Sequence, residues 1–269
     1  MYRLASFIIL LCFALTSLAQ NHTLRAVREA DEAGYNCWIY TPHQYDSTRQ
    51  RTPVVIFLHG ASLCGDNLDR VRRYGPLHAI DMGRNIDALV VVPQNPGGAW
   101  NAERLNRLLE WTKAHYALDS TRIYVAGMSL GAYGTLDFAA AYPRKIAAAM
   151  AICGGCSASE YSGLGQIPLW ILHGTADRAV PLSHSKAIVD GLAAANQDSR
   201  LRYTWLKGAN HSSPARIFYL PKTYEWLFAH SLADPQRPVN RDIEITHTDL
   251  PHAYEGMTRG AEKPTLITE

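Results

Sequence analysis

The fold of this 269-residue chain is decided by one stretch near its middle, Ile123-Tyr124-Val125-Ala126-Gly127-Met128-Ser129-Leu130-Gly131-Ala132-Tyr133-Gly134. Residues 123–126 form an apolar run with the composition of a buried strand. Residues 127–131 match the pattern G-x-S-x-G, and small residues then open a helix. A strand, a sharp turn and a helix in this order leave the Ser129 hydroxyl exposed above a sheet, where the helix N-terminus favours a developing negative charge. The stretch therefore predicts that Ser129 is a nucleophile.

Outward from this turn, predicted strands alternate with predicted helices along the middle of the chain. The run 54–58 is apolar on both faces, as a central strand of a parallel sheet is. Such alternation is typical of the α/β class, with a mostly parallel central sheet and helices on both faces. The predicted strands cover residues 36–40, 54–58, 88–92, 122–126, 146–152, 169–172 and 201–205, and the predicted helices cover 101–115, 130–142, 182–195 and 217–230.

A serine hydroxyl is a poor nucleophile unless a histidine, held in one tautomer by a carboxylate, takes its proton. The best candidate for the carboxylate is Asp177, which lies in the loop after the predicted strand 169–172. Open α/β sheets bind their ligands at that end of their strands. Asp190 and Asp198 are competitors, but they fall on or after the helix that follows. We therefore predict that Asp177 is the acid.

The best candidate for the base among the eleven histidines is His211. It lies in the loop after the predicted strand that begins at Leu201, and it completes the chain order of serine, acid and histidine. His173 and His184 come too early in that order. Of the others considered, His22 and His43 precede the sheet, His115 ends a helix, and His247 and His252 lie near the C-terminus.

Acyl transfer also needs N–H donors for the negative oxygen of a tetrahedral intermediate. The N–H of Leu130, next to the nucleophile, is one predicted donor, and the N–H of Ala61, in the loop after the strand 54–58, is the second. His59 is interpreted as a structural brace of that loop. We further expect a substrate pocket lined by Ser62, Trp100 and Tyr133, with core packing as the alternative for the two aromatic residues.

The two ends of the chain differ in composition from its middle. Residues 1–19 have one positive charge, the apolar run 4–15 and small residues before position 20, as signal peptides do. The apolar run is short for a membrane span. We therefore expect a periplasmic or secreted protein without stable membrane insertion after cleavage. A catalytic domain at 20–234 should precede a polar segment at 235–269, which is either disordered or docked on the domain.

Composition argues against several partners. The formal net charge is +2 and no Lys/Arg cluster stands out, so nucleic acid is not an expected partner. No second pair of ligands accompanies Cys153 and Cys156, so the sequence predicts neither a zinc site nor a cofactor. Cys37 and Cys64 are the other cysteines outside the signal peptide. Pairing of Cys64 with Cys156 is the disulfide we consider first, because both should lie on loops near one edge of the site; buried thiols are the alternative.

Several separated motifs carry a resemblance. They are Leu58-His59-Gly60 with Gly65-Asp66-Asn67, Val92-Pro93-Gln94 with Trp100, Arg122-Ile123-Tyr124 before the serine turn, Ala151-Ile152-Cys153-Gly154-Gly155, His173-Gly174 with Asp177 and Val180-Pro181, and Gly208-Ala209-Asn210-His211. Together they resemble the exported carboxylesterases of the α/β-hydrolase superfamily that are related to feruloyl and acetylxylan esterases and to polyhydroxybutyrate depolymerase-like hydrolases. The resemblance implies a metal-free mechanism through an acyl-serine. It also implies an acetyl or feruloyl ester on plant polysaccharide, or a small soluble ester, as the substrate.

Two other functions compete with an ester hydrolase. A serine peptidase of the prolyl-oligopeptidase type shares the fold but usually carries a gating domain, for which this chain has no room. A non-catalytic α/β-hydrolase scaffold that binds a ligand predicts a broken triad, whereas all three candidates are present. The segment from Cys153 to Leu169 is too short for a large lid or cap, so we expect an open site.

Overall fold

The computed structural model of the chain describes residues 22–49, 51–158, 160–257 and 262–268. In this part of the chain nine strands form one sheet, in the order β8-β7-β6-β5-β3-β4-β2-β1-β9. From β8 to β4 all neighbours are parallel, whereas β2 pairs antiparallel with both β4 and β1. The strands are β1 (Thr23–Val27), β2 (Cys37–Thr41), β3 (Val54–Leu58), β4 (Leu89–Pro93), β5 (Ile123–Met128), β6 (Ala148–Ile152), β7 (Leu169–Gly174), β8 (Leu201–Leu206) and β9 (Thr265–Ile267).

Helices cover both faces of the sheet. They are α1 (Ala30–Ala33), α2 (Pro76–Asp81), α3 (Ala102–His115), α4 (Leu130–Ala141), α5 (Leu182–Ala194) and α6 (Pro221–Phe228). Alternate residues of β3 feed two separate cores: Val55 and Phe57 pack with side chains of α2 and α6, while Val54, Ile56 and Leu58 pack with those of α3, α4 and α5. This arrangement confirms the predicted α/β fold with a mostly parallel sheet.

The parallel strands bring four loops to one edge of the sheet. Because β3, β5, β7 and β8 all run in the same direction, the loops that follow them start at the same edge. These loops carry the residues that the sequence predicts for the site, and β5 lies between β3 and β6. The edge formed by the carboxyl ends of the strands is therefore where a site is expected.

Two elements differ from the prediction. The strands β1 and β9 had no clear pattern, because β1 has mixed polarity and β9 is three exposed residues long. The predicted helix 217–230 is divided: residues Ser213–Tyr219 form a 3-10 helix, and α6 begins only at Pro221. Proline lacks an N–H and suits the first position of a helix, so a new helix starts there.

The polar segment after residue 235 docks on the domain wherever the structure describes it. Ile245, Leu250 and Ala253 are buried in the same core as α6. The indole N–H of Trp226 donates to the carbonyl oxygen of Asn240 at 3.0 Å. The strand β9 then pairs with β1. The described residues of this segment thus contact the domain at several points.

The connection between β6 and β7 is short, and its described residues form no lid over the sheet edge. The described residues of this connection hold only a 3-10 helix, Leu164–Gln166.

Among the described helices, none combines the length and the apolar character that a membrane crossing requires. The predicted signal peptide at 1–19 lies outside the described residues.

The predicted Cys64–Cys156 disulfide is wrong. Cys37, Cys64, Cys153 and Cys156 are all free thiols. Cys64 follows β3 and Cys156 follows β6, and β5 lies between these two strands. The thiol of Cys156 instead donates to Asp137 Oδ1 at 3.2 Å.

Candidate active site

The turn at Ser129 connects β5 directly to α4. The backbone φ angle of Ser129 is 58°, a value that residues other than glycine rarely adopt. A Cβ atom on Gly127 would lie 2.3 Å from the carbonyl oxygen of Gly131, and a Cβ atom on Gly131 would lie 1.8 Å from the carbonyl oxygen of Leu58. Neither distance is possible for a real side chain. The two glycines of the motif therefore allow α4 to pack directly on the end of β3.

The three side chains predicted as nucleophile, base and acid lie in one chain of hydrogen bonds. Nδ1–H of His211 donates to Asp177 Oδ2 at 2.7 Å, and the Ser129 hydroxyl lies 2.9 Å from His211 Nε2. Because an ionised carboxylate only accepts hydrogen bonds, the imidazole proton sits on Nδ1. The Nε2 lone pair is then free to accept the proton of the serine hydroxyl.

The side chain of Asp177 is buried, yet hydrogen bonds stabilise its charged form. Oδ1 accepts the backbone N–H groups of Ala179 and Val180, each at 2.9 Å. Burial opposes the charge, but the hydrogen bonds from His211 and from these two amides outweigh it and hold the pKa of Asp177 below its ordinary value. The carboxylate is therefore ionised at neutral pH and fixes the tautomer of His211.

Two more buried side chains touch Asp177, and sequence reasoning did not assign them to the site. Nε2 of His173 lies 3.3 Å from Asp177 Oδ2 and donates to the carbonyl oxygen of Val180 at 3.0 Å. Burial lowers the pKa of His173 and raises the pKa of Cys153 to about 12, so both groups are neutral.

Cys153, His173 and Asp177 place potential metal-ligand atoms within 4.8 Å of one another. Metal binding, however, requires a thiolate and a free imidazole nitrogen. Here the thiol keeps its proton and His173 Nε2–H is already a hydrogen-bond donor. The cluster is better described as packing that supports the Asp177 carboxylate.

The loop after β3 is held by His59. The backbone N–H of Asn95 donates to His59 Nε2 at 3.0 Å, so the ring proton sits on Nδ1 and donates to the carbonyl oxygen of Gly60 at 2.8 Å. Burial lowers the pKa of His59 to about 4. These contacts agree with the interpretation of His59 as a neutral brace.

Both amides predicted as oxyanion donors belong to the first residue of a helical turn. Leu130 begins α4, and Ala61 begins the 3-10 helix Ala61–Leu63. N–H groups at such positions have no partner within their own helix. The Ala61 loop is close to the serine, since a Cβ atom on Gly60 would lie 3.2 Å from Ser129 Cβ. Two backbone N–H groups without a partner in their own helix therefore lie near the Ser129 side chain.

Tyr74 also belongs to this region, although the sequence contains no pattern that indicates it. The N–H of Gly60 donates to the Tyr74 hydroxyl at 2.6 Å. The ring packs edge-on against Phe57 at 6.0 Å between ring centres. Burial raises the pKa of Tyr74 to about 12, so the hydroxyl stays protonated. Tyr74 thus anchors the peptide unit that precedes the predicted donor Ala61.

The three predicted pocket residues have different surroundings. Ser62 is exposed, and its carbonyl oxygen accepts a hydrogen bond from Arg70 at 2.7 Å. Trp100 is buried in the core beside α4, and its indole N–H donates to the carbonyl oxygen of His59 at 3.2 Å. Trp100 therefore packs in the core, which is the alternative given for it above. Tyr133 is half-buried, with its hydroxyl hydrogen-bonded to His184 Nδ1.

An open cavity of about 490 Å³ lies beside His211. It is formed by the loops after β7 and β8. Its lining residues are Ala176, Arg178, Ala179, Asn210, His211 and Ser212. The cavity therefore connects His211, the predicted general base, with solvent.

Comparison with known proteins finds ester hydrolases. A family model described as phospholipase/carboxylesterase matches residues 99–224. Acetylxylan esterase A of Aspergillus awamori is 23% identical over 219 residues, which cover 74% of this chain and 69% of that protein. Acetylxylan esterase A of Aspergillus ficuum is 26% identical over 153 residues, which cover 51% of this chain and 48% of that protein. The chain thus spans about half the length of the second relative.

Among solved structures, a thermostable esterase is similar to this chain. It aligns with a TM-score of 0.62 at 24% sequence identity, over 79% of this chain and 64% of that one. At this level of identity the likeness concerns the fold. Together with the sheet order and the serine turn, it identifies the architecture.

Proposed function

Because this chain has the α/β-hydrolase fold, we propose that it is a serine hydrolase that cleaves carboxylic esters through an acyl-serine intermediate. The observation that carries this proposal is the hydrogen-bonded chain of Ser129, His211 and Asp177 beside two free amides. The ester-hydrolase names of the relatives support the same reaction class.

The first half of the reaction forms the acyl-enzyme. His211 Nε2 takes the Ser129 proton as Oγ attacks the ester carbonyl. The N–H groups of Leu130 and Ala61 stabilise the oxyanion, and each such donor is worth about 3–4 kcal/mol in the transition state. Asp177 stabilises the imidazolium that forms. His211 then gives its proton to the leaving alcohol, and the tetrahedral intermediate collapses to the acyl-serine.

The second half releases the acid. His211, neutral again, takes a proton from a water molecule as that water attacks the acyl-serine. The same two amides stabilise the second oxyanion. His211 then returns the proton to Ser129 Oγ, and the carboxylic acid leaves. The open cavity beside His211 gives water and alcohol a path to this nitrogen.

Acetyl esters are the substrates we propose first, either on plant polysaccharide or as small soluble esters. Two lines support this choice. The Aspergillus relatives are named acetylxylan esterases. No lid closes the sheet edge in the described part of the chain, and an open site accommodates an ester displayed on a polymer. Feruloyl esters are the second choice within the same reaction class.

The protein acts outside the cytoplasm, in the periplasm or after secretion. The pattern of residues 1–19 supports this part of the proposal, since a charged start, an apolar run and small residues at the end are the parts of a signal peptide. N-terminal sequencing of the exported protein tests it, and a mature chain that starts at Gln20 is the expected result.

Hydrolysis of p-nitrophenyl acetate tests the proposed activity. We expect turnover by the unmodified chain and a fall in kcat of at least about a thousandfold for Ser129→Ala. Ser199→Ala is the matched control, because Ser199 is exposed at the opposite edge of the sheet, before β8. Equal activity of Ser129→Ala and the unmodified chain would show that Ser129 is not the nucleophile. Acetylated xylan and methyl ferulate, tested side by side, then separate the two acyl groups.

A further inference from the structure

The cavity beside His211 has an uncompensated positive charge. Arg178 lines this cavity and is exposed. Among the described residues, no carboxylate or other group pairs with its guanidinium. The neighbouring acid Asp177 has a buried side chain that is already bonded to His211 and to two amides. The five N–H donors of Arg178 are therefore free to bind a ligand.

The position of Arg178 is well defined at its backbone. The residues on both sides of it are tied together, because Asp177 Oδ1 accepts the N–H groups of Ala179 and Val180 at 2.9 Å. The loop that carries Arg178 thus shares its anchor with the proposed catalytic acid. Its side chain starts one residue away from the group that orients His211.

Asn210 adds donors to the same cavity. Its side-chain oxygen Oδ1 accepts the N–H groups of Ser212 and Ser213 and the Ser212 hydroxyl, at 3.0–3.1 Å. With the oxygen fully used, the Nδ2 amide group is the end left for a ligand, and it has no partner among the described residues. An arginine and an amide NH₂ group, without a free acid, form a surface that offers hydrogen-bond donors and positive charge.

The cavity lies on the side of the leaving alcohol. In the proposed reaction His211 gives its proton to that alcohol, so the alcohol part of the substrate must lie next to His211. We propose that Arg178, assisted by Asn210, binds a carboxylate on the alcohol part of the substrate, as in an ester of an acidic sugar. The planar guanidinium matches a carboxylate with two parallel hydrogen bonds. This inference rests on the proposed ester hydrolysis and specifies its substrate class.

Two acetate esters with matched leaving groups test the inference. The probes are 4-acetoxybenzoate, whose alcohol part is anionic at neutral pH, and 4-acetoxybenzamide, whose alcohol part is neutral. The kcat/KM value for 4-acetoxybenzoate is divided by that for 4-acetoxybenzamide. This ratio is measured for the unmodified chain and for Arg178→Gln. Intrinsic reactivity cancels, because both proteins meet the same two leaving groups. We expect this ratio to fall about fivefold in the variant, as for an ion pair at a partly exposed surface, with the change mainly in KM.

Arg144→Gln is the matched control. Arg144 is exposed in the loop between α4 and β6, at the opposite edge of the sheet, and its loss changes the net charge by the same amount. A fall in the ratio for Arg178→Gln alone supports the inference, as does a preference of the unmodified chain that weakens with added salt. An equal fall for both variants, or none for Arg178→Gln, overturns it. If the unmodified chain hydrolyses neither ester, the proposed function fails, and this inference fails with it.

Discussion

At the scale of single residues, the backbone of Ser129 is held in a conformation that costs energy. Its φ of 58° and ψ of −124° are rare for a residue with a side chain, and such a conformation costs roughly 1–3 kcal/mol. The N–H of Ser129 donates to the carbonyl oxygen of Ile152 at 2.9 Å, which ties the turn to β6. The strain therefore persists because the neighbouring strand and helix hold the turn. Its effect is to direct the hydroxyl toward His211.

Tyr74 is a positioning residue, because it acts through the peptide unit between His59 and Gly60, which precedes the predicted donor Ala61. In Tyr74→Phe the N–H of Gly60 loses its acceptor, so the loop should shift by a fraction of an ångström. We expect kcat for p-nitrophenyl acetate to fall tenfold to a hundredfold with KM nearly unchanged, since small misplacements at a reacting centre have effects of about this size. Stability should fall by about 1 kcal/mol.

Tyr224→Phe is the control for this prediction. The Tyr224 hydroxyl donates to the carbonyl oxygen of Phe218 at 2.6 Å in the core under α6, away from the serine turn. Urea unfolding should show a similar loss of stability for both variants. If kcat is unchanged in both, or falls equally in both, Tyr74 has no specific role at the site.

At the scale of elements, the C-terminal segment completes the face of the sheet covered by α6. Ile245 is 1% exposed and Ala253 is fully buried, whereas the side chains of β9 point to solvent. Hydrogen bonds from Trp226 and Arg202 to the carbonyl oxygen of Asn240 attach the segment to α6 and β8. The polar composition of the segment thus conceals a few apolar anchors. Three such residues are too few to establish a helical or strand period.

Ile245→Ala tests whether the segment is part of the folded domain. Removing a buried isoleucine side chain leaves a cavity and typically costs about 2–5 kcal/mol. We expect a loss at the lower end of that range, measured as the free energy of unfolding in urea. Ile267→Ala in β9, where the side chain is 38% exposed, should cost less than about 1 kcal/mol. Equal and small effects of both substitutions would mean that the segment does not contribute to the core.

At the scale of the whole molecule, several buried histidines make the fold sensitive to acid. Burial is the largest cause that lowers the pKa of each. The nearby carboxylates, Glu262 for His22 and Asp177 for His173, oppose this effect but do not cancel it. The buried histidines are His22, His59, His173 and His230. In the unfolded chain these groups titrate near pH 6.5. The folded state binds fewer protons than the unfolded state below that pH, so acid favours unfolding.

His59 should account for a large share of this effect. Its pKa is about 4 in the folded protein, so its contribution to instability grows as pH falls from about 6.5 to about 4. A shift of this size corresponds to roughly 3 kcal/mol over that interval. We expect urea unfolding of the unmodified chain to show this loss, and His59→Gln to show a smaller slope with pH. His115→Gln, at an exposed position, is the control and should leave the slope unchanged. Identical slopes for His59→Gln and the unmodified chain would contradict the prediction.

Much of the architecture could be predicted from the sequence, for a local reason. Apolar runs bounded by glycine and proline define β3 to β7, and the alternation with helices leaves a parallel sheet as the simplest arrangement. Ser129, Asp177 and His211 each lie in the turn or loop that follows a strand, and this placement predicts one shared sheet edge. The hydrogen bonds that connect them in the structure fit that prediction, although their roles in a reaction await the kinetic tests above.

The tertiary structure alone decided what depends on contacts between distant segments. Tyr74 meets Gly60, Cys64 and Cys156 follow strands that β5 separates, and Arg178 and Asn210 line one cavity. None of these features has a sequence period or a spacing rule. Periodicity reports which face of an element is buried, because that property is local. Which side chains then meet depends on how the loops pack, and loops carry no repeating pattern from which their contacts could be predicted.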